Sequence, residues 1–255
     1  MQEDPTLHDF YWHDPNGRGN FGDELSALLL SHFTQLPVEW SSPGFADIVC
    51  VGSVLHHLPP GWPGVVAGSG LIKDHSLDLR SATVLGVRGY ETLRRLNIQP
   101  RYVTIGDPAL LASELVPADP GRFKLGIVPH WTDTKLWPRE RERAIRYGYA
   151  DPILIDPRRH PNWVLQLIGS CDKIVSSSLH GIIVADSYGV PRRAERHALM
   201  DTDPYETDFK WVDYGSSIGQ AVEFGKLQTP SLERIYSIQH NLFEMFQEVR
   251  SLYVL

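Results

Sequence analysis

Residues 174–191 read IVSSSLHGIIVADSYGVP. A short apolar run breaks off into three serines, and a Leu-His-Gly turn opens an apolar segment that stops at Gly189 and Pro191. The stretch predicts a buried strand, a polar turn and a helix. A buried hydroxyl or imidazole without a partner costs about 1–3 kcal/mol, so this run of polar side chains points to something outside the chain that uses them. Free N–H groups and the helix dipole converge at the helix start, which makes phosphate or carboxylate the expected guest. Capping alone accounts for one of Ser176, Ser177 and Ser178, hardly for all three together with His180.

The same alternation runs through the rest of the chain. GDELSALLLSHF (22–33) sets Leu25, Leu28, Leu29 and Phe33 on one helical face behind a glycine-rich loop. ADIVCVGSVL (46–55), GVVAGSGL (64–71), ATVLGVRG (82–89) and RYVTIGDPALL (101–111) read as strands running into turns, with a helix at 90–97. ELVPADPGR (114–122), with its prolines and glycine, reads as a linker. Beyond it KLGIVPHW (124–131) and DPILIDP (151–157) are expected strands, PNWVLQLIGSC (161–171) a helix, and RERERAIRYG (139–148) a charged helix or loop. FKWVDYG (209–215) reads as a loop. Leu232, Ile235, Ile238, Leu242, Phe243, Phe246 and Val249 make the apolar stripe of a long closing helix. Strands alternating with helices predict an α/β fold with parallel sheets. Two such units are expected, Rossmann-like domains at 1–115 and 122–255, facing a cleft lined by the turns at their strand ends.

Composition narrows the chemistry. The 255 residues, 42% hydrophobic, suffice for true cores. The 24 Lys and Arg against 31 Asp and Glu, net -7, exclude a general attraction to nucleic acid. Two cysteines, Cys50 and Cys171, suit neither a disulfide framework nor a zinc knuckle, so a reducing cytoplasm is the expected compartment. The start of the chain has no signal-peptide pattern, and no apolar run reaches the roughly 18 residues of a membrane span. No GxGxxG follows a strand, which argues against a nicotinamide cofactor, and no cluster of histidines or carboxylates marks a metal site.

Several turns carry candidate chemistry. GRGNFGDEL (17–25) places Asn20 and Asp23 at a helix start, where Asp23 serves equally well as cap or as base. His56 and His57 follow one strand, and His130 ends another. Arg88 directly follows a strand, where a guanidinium can fork onto phosphate or carboxylate. Asp107, in the Gly-Asp-Pro turn, reads as a turn former. Lys210, Asp213 and Tyr214 are suited to sugar hydroxyls.

In this order, GNFGDELS, VGSVLHHL, AGSGL, LGVRGYETL, GDPALL, GIVPHW, VSSSLHGIIVADSYGVP and FKWVDYG resemble the polysaccharide pyruvyl transferase family, in its bacterial exopolysaccharide (xanthan-type) branch. The resemblance implies a two-domain arrangement like that of GT-B glycosyltransferases. It also implies phosphoenolpyruvate as donor, with no further cofactor, and a sugar of a lipid-linked oligosaccharide as acceptor, joined to pyruvate as a cyclic ketal. Peripheral contact with the inner face of the membrane follows from such an acceptor.

On this reading Ser176, Ser177, Ser178, Leu179, Gly181, Arg88 and His130 bind the donor, and Asn20, Lys210, Asp213 and Tyr214 the acceptor. His180 is the expected general acid, titrating near neutrality, and Asp23 the expected base, with His57 or His130 next. Ser178 stands where some family members carry an arginine in contact with the donor, so Arg88, Lys210 or an arginine of 192–193 is expected to supply that charge. Two other functions fit the same architecture. A nucleotide-sugar glycosyltransferase would grip a ribose through a late carboxylate such as Glu195 or Glu206, and a non-catalytic relative would bind acidic glycans.

Overall fold

The computed structural model describes residues 5–14, 16–17, 19–99, 101–133, 141–142, 145, 152–197 and 207–254. The charged stretch 139–148 falls almost wholly outside them, as does Glu206.

The first sheet is parallel throughout, in the order β2-β1-β3-β4-β6-β8. Its strands are β1 (Leu7–Asp9), β2 (Val38–Trp40), β3 (Ile48–Val49), β4 (Val65–Ala67), β6 (Thr83–Val87) and β8 (Thr104–Ile105). The short β5 (Leu77–Asp78) and β7 (Leu96–Asn97) pair separately. β3 and β4 are buried along their whole length, as a parallel strand covered on both faces must be. α1 (Phe21–Thr34) and α2 (Tyr90–Arg95) follow β1 and β6, and α3 (Ala112–Leu115) ends this half.

The second sheet runs β10-β9-β11-β12-β13. Here β9 (Gly126–Val128), β10 (Ile153–Leu154), β11 (Ile174–Ser176) and β12 (Arg192–Ala194) are parallel, and β13 (Leu227–Gln228) closes the edge antiparallel. α4 (Pro161–Gly169) precedes β11 and α5 (Leu179–Ser187) follows it. α5 stops where expected, with Gly189 at φ 70°, a left-handed conformation that costs glycine little.

α6 (Phe209–Ile218) and α7 (Leu232–Tyr253) complete the chain. FKWVDYG is thus the body of α6, a helix and not a loop. α7 does not stay with the second sheet: it packs on α1, β4, β6 and β8 of the first. It buries Ile235, Ile238, Leu242, Met245, Phe246 and Val249, at about 1.5–3 kcal/mol for each side chain removed from water. Leu232 and Phe243, expected on the same stripe, stay 45% and 44% exposed. One hydrophobic core joins both sheets through these helices, running from Leu7 and Ile48 to Val128, Ile174 and Val249. The Tyr188 hydroxyl ties the segment between the sheets to α5 by donating to the Val116 carbonyl at 2.7 Å.

Candidate active site

Ligands of open α/β sheets sit beyond the carboxyl ends of the strands, where the strand order reverses. The first sheet reverses between β1 and β3 and the second between β9 and β11. The loops that leave these four strands line one cavity of about 500 Å³. Trp12, Asn20 and Asp23 follow β1; Ser53, Val54, His56 and His57 follow β3; His130 and Trp131 follow β9; Ser178, Leu179 and His180 follow β11. Ile72 and Lys210 complete the lining.

The three serines divide their work. Ser176 Oγ lies 2.9 and 2.8 Å from the carbonyl oxygens of Val128 and Ser178 and accepts the Ser178 amide at 3.0 Å. Ser177 Oγ accepts the His130 amide at 2.8 Å. These two hold β11 to β9, and neither lines the cavity. Ser178 does: it stands at the N-cap of α5, and its side chain makes no cap hydrogen bond. Gly181 serves packing, since a Cβ there would lie 2.2 Å from Ser176 Oγ. Leu179 supplies an apolar patch of cavity wall. Of the SSSLHG turn, the ligand side is therefore the helix N-terminus with Ser178, Leu179 and His180.

His180 sits in the first turn of α5 against the first turn of α1. A Cβ on Gly22 would lie 2.1 Å from His180 Nδ1, so only glycine admits the ring there. Its Nε2 lies 4.0 Å from Asp107 Oδ2, the side chains being 12% and 1% exposed. Burial, followed by the positive charges of Arg88 and Lys210, pulls the imidazole down to about 3. Burial and these two cations thus work against the expectation that His180 titrates near neutrality.

Arg88 does not stand where a donor contact would be. It is 0% exposed and does not line the cavity. Its Nε donates to Asp213 Oδ2 at 2.8 Å, one terminal nitrogen to Ser53 Oγ at 2.6 Å, and the other to the Leu71 carbonyl at 2.5 Å. The guanidinium acts on the cavity through its field and through Ser53, not by direct contact. Asp213 also accepts the Thr92 amide and hydroxyl, both at 2.7 Å, joining α6 to α2. The Tyr214 hydroxyl donates to Asp186 Oδ2 at 2.7 Å, and Asp186 also accepts from Arg192 Nε at 2.9 Å. Asp213 and Tyr214 are buried away from the cavity, so neither fits the acceptor role expected of it. Arg192 is committed to the same network.

Lys210, in the first turn of α6, does line the cavity. Asn20 and Asp23 line it as a pair, Asn20 Nδ2 donating to Asp23 Oδ2 at 2.5 Å. His57 lies at the exposed rim and His130 inside, its ring stacked on His197 at 4.1 Å with Nδ1 2.7 Å from Thr132 Oγ1. Burial, then His57, His75 and Lys73, pulls His56 down to about 4.

Trp12, Ser53, Ile72 and Trp131 were not singled out from the sequence. Trp12 and Trp131, half-buried and 4.9 Å apart, close the cavity from the two sheets. The signal for all four was their place just past a strand end or polar turn. Among the described residues no group of three or more His, Cys, Asp or Glu side chains is placed to hold a metal, and no helix is long and apolar enough to cross a membrane.

Residues 58–194, more than half of the chain, match the family model of polysaccharide pyruvyl transferases. The chain is 31% identical over 226 residues to the succinoglycan biosynthesis protein ExoV of Rhizobium meliloti (strain 1021), a match covering 82% of this chain and 64% of that protein. It is also 31% identical over 165 residues to the uncharacterized protein L143 of Acanthamoeba polyphaga mimivirus, covering 61% and 55% respectively. The match thus spans less than two thirds of either relative's length. The matched region carries β4 to β12, and with them His130 and the α5 turn that shape the cavity: the chain belongs to the polysaccharide pyruvyl transferase family.

Proposed function

We propose that the cavity binds phosphoenolpyruvate and transfers its pyruvyl group to a sugar of a growing, lipid-linked exopolysaccharide precursor, as a cyclic ketal. The observation that carries this reading is the meeting of an uncapped helix N-terminus with Ser178, the cation Lys210 and the imidazole of His180 on one cavity. Such a site attracts a small, highly charged anion. A volume of about 500 Å³ accommodates that donor beside one sugar ring, and Trp12 and Trp131 offer the sugar an amphipathic wall. The name of the Rhizobium relative, a succinoglycan biosynthesis protein, supports an exopolysaccharide acceptor.

In the reaction the donor methylene gains a proton, which makes its enol carbon electrophilic. One acceptor hydroxyl adds to that carbon, phosphate leaves, and the second hydroxyl closes the ketal. Two hydroxyl protons are released: one replaces the proton delivered to the methylene and the other departs with phosphate. His180 delivers the proton to carbon. The donor's negative charge opposes the fields of Lys210 and Arg88 that depress this imidazole, so binding itself raises the proton affinity of the ring. Asp23, bridged to Asn20, takes the hydroxyl proton, with His57 or His130 next in line.

The two sheets, up to residue 115 and from 122 onward, are read as Rossmann-like units facing each other in the GT-B manner. The enzyme would work in the cytoplasm against the inner membrane face, where a lipid-linked acceptor is presented. A nucleotide-sugar transferase is disfavoured because Glu195, the late carboxylate such an enzyme would use on a ribose, is ion-paired with Arg193 at 2.6 Å. Calorimetry tests the reading: phosphoenolpyruvate binds and a panel of nucleotide sugars does not. Binding of a nucleotide sugar with no response to phosphoenolpyruvate would overturn it.

A further inference from the structure

Asp107 follows β8 in the Gly-Asp-Pro turn, and its two carboxylate oxygens have different surroundings. Oδ1 accepts the Ala109 amide at 2.9 Å and so caps the short turn of 3-10 helix at Pro108–Leu111. Oδ2 is buried and, among the described residues, without a hydrogen-bond partner, and so is His180 Nε2, 4.0 Å away. A turn former needs one oxygen and no burial. Two complementary orphan atoms facing each other behind a cavity wall are costly to keep, and apo catalytic hydrogen bonds are often long, tightening when substrate arrives.

We propose that Asp107 is the positioning residue of His180: Oδ2 accepts the Nε2 proton, fixing the tautomer that presents Nδ1, the nitrogen over Gly22, for proton exchange with the ligand. This rests on the reading of His180 as the proton-transfer group. The charged and titratable groups acting on the pair are Arg88 at the end of β6, Lys210, Asp213 and Tyr214 on α6, and Cys50 beyond β3. Arg88 and Lys210 oppose an imidazolium. Asp107 is the carboxylate within 4.0 Å that favours one, and its charge offsets them when the proton is taken up.

Asp107→Asn tests this, because it separates capping from positioning. Asparagine caps as well as aspartate, so its oxygen keeps the Ala109 amide and its NH2 group replaces Oδ2. That group donates to Nε2 and forces the proton onto Nδ1, the wrong tautomer for the reaction.

The expected result is an unchanged melting temperature, donor affinity within about threefold, and kcat lower by about 10²-fold or more. Imidazole 15N shifts of His180 move from the Nε2–H to the Nδ1–H pattern. A variant with near wild-type kcat and an unchanged His180 tautomer overturns the proposal. So does an Nδ1–H pattern in the wild-type protein, a measurement that needs neither the variant to fold nor any turnover. Absence of phosphoenolpyruvate turnover in the wild type would sink the proposed function instead, leaving the tautomer as the test of Asp107.

Discussion

Replacing Asp213 by alanine distinguishes a structural Arg88 from a donor-binding one. The Arg88–Asp213 pair is 0% exposed on both sides, and Asp213 also accepts two hydrogen bonds from Thr92. Removing one member of a buried pair leaves the other charge without compensation, at about 3–5 kcal/mol. In a chain of this size each kcal/mol lowers the melting temperature by about 2–4 °C, so a fall on the order of 10 °C is expected. Thermal melts and urea titrations followed by circular dichroism measure it. The double replacement Arg88→Met with Asp213→Leu removes both charges and should recover part of the loss, the Thr92 amide and hydroxyl staying without their acceptor. A single variant that melts like wild type but no longer binds phosphoenolpyruvate would refute the reasoning and return Arg88 to the donor site.

Lys210→Met keeps volume and removes the cavity's lining cation, so phosphoenolpyruvate should bind at least about tenfold more weakly by calorimetry, roughly 1.4 kcal/mol; unchanged affinity would take Lys210 out of the donor site. Burial raises Asp9, at the end of β1, from 3.8 to about 7, with Ser26 offsetting part of the effect. The folded protein therefore holds this proton more tightly than the unfolded chain. The associated stability is full below pH 3.8 and lost as pH rises through about 7, by about 4 kcal/mol. Asp9→Asn should accordingly gain stability over wild type on going from pH 4 to pH 8, by up to that amount in urea titrations, and a flat difference would contradict the burial argument.

The parallel sheets, α1, α4 and α5 were legible because their apolar stretches are bounded by Gly, Pro and Asp signals, although α5 is buried nearly all round and has no one-sided period. β1 was not: Leu-His-Asp is three residues long and ends in a buried carboxyl, which defeats any alternation rule. Missing it hid Trp12, whose meaning depends on following a strand. α6 read as a loop because Lys210, Asp213 and Tyr214 look solvent-facing. They are buried because Asp213 meets Arg88 from 125 residues away and Tyr214 meets Asp186, pairings that no local window contains. The same blindness made Arg88 look available for the donor. His180, Asn20, Asp23, His57, His130, Ser178 and Leu179 line one cavity, and were singled out because each lies at or near a strand end or helix start, whereas Lys210, read in a loop, lines it from the first turn of α6. The partner of His180 was not, because Asp107 has every local mark of a turn.

The proposed conversion of phosphoenolpyruvate in this cavity turns on His180 moving the proton. The most direct measurement is inorganic phosphate released from phosphoenolpyruvate in the presence of a membrane fraction or purified glycan carrying exopolysaccharide acceptor. It is paired with mass spectrometry of the glycan, for wild type and His180→Ala. The expected result is phosphate release that depends on acceptor, a glycan mass gain corresponding to one ketal-linked pyruvate, and loss of both by about 10²-fold or more in the variant while the donor still binds. Acceptor-dependent turnover that survives intact in His180→Ala, or no pyruvylated product from the wild type, would contradict it.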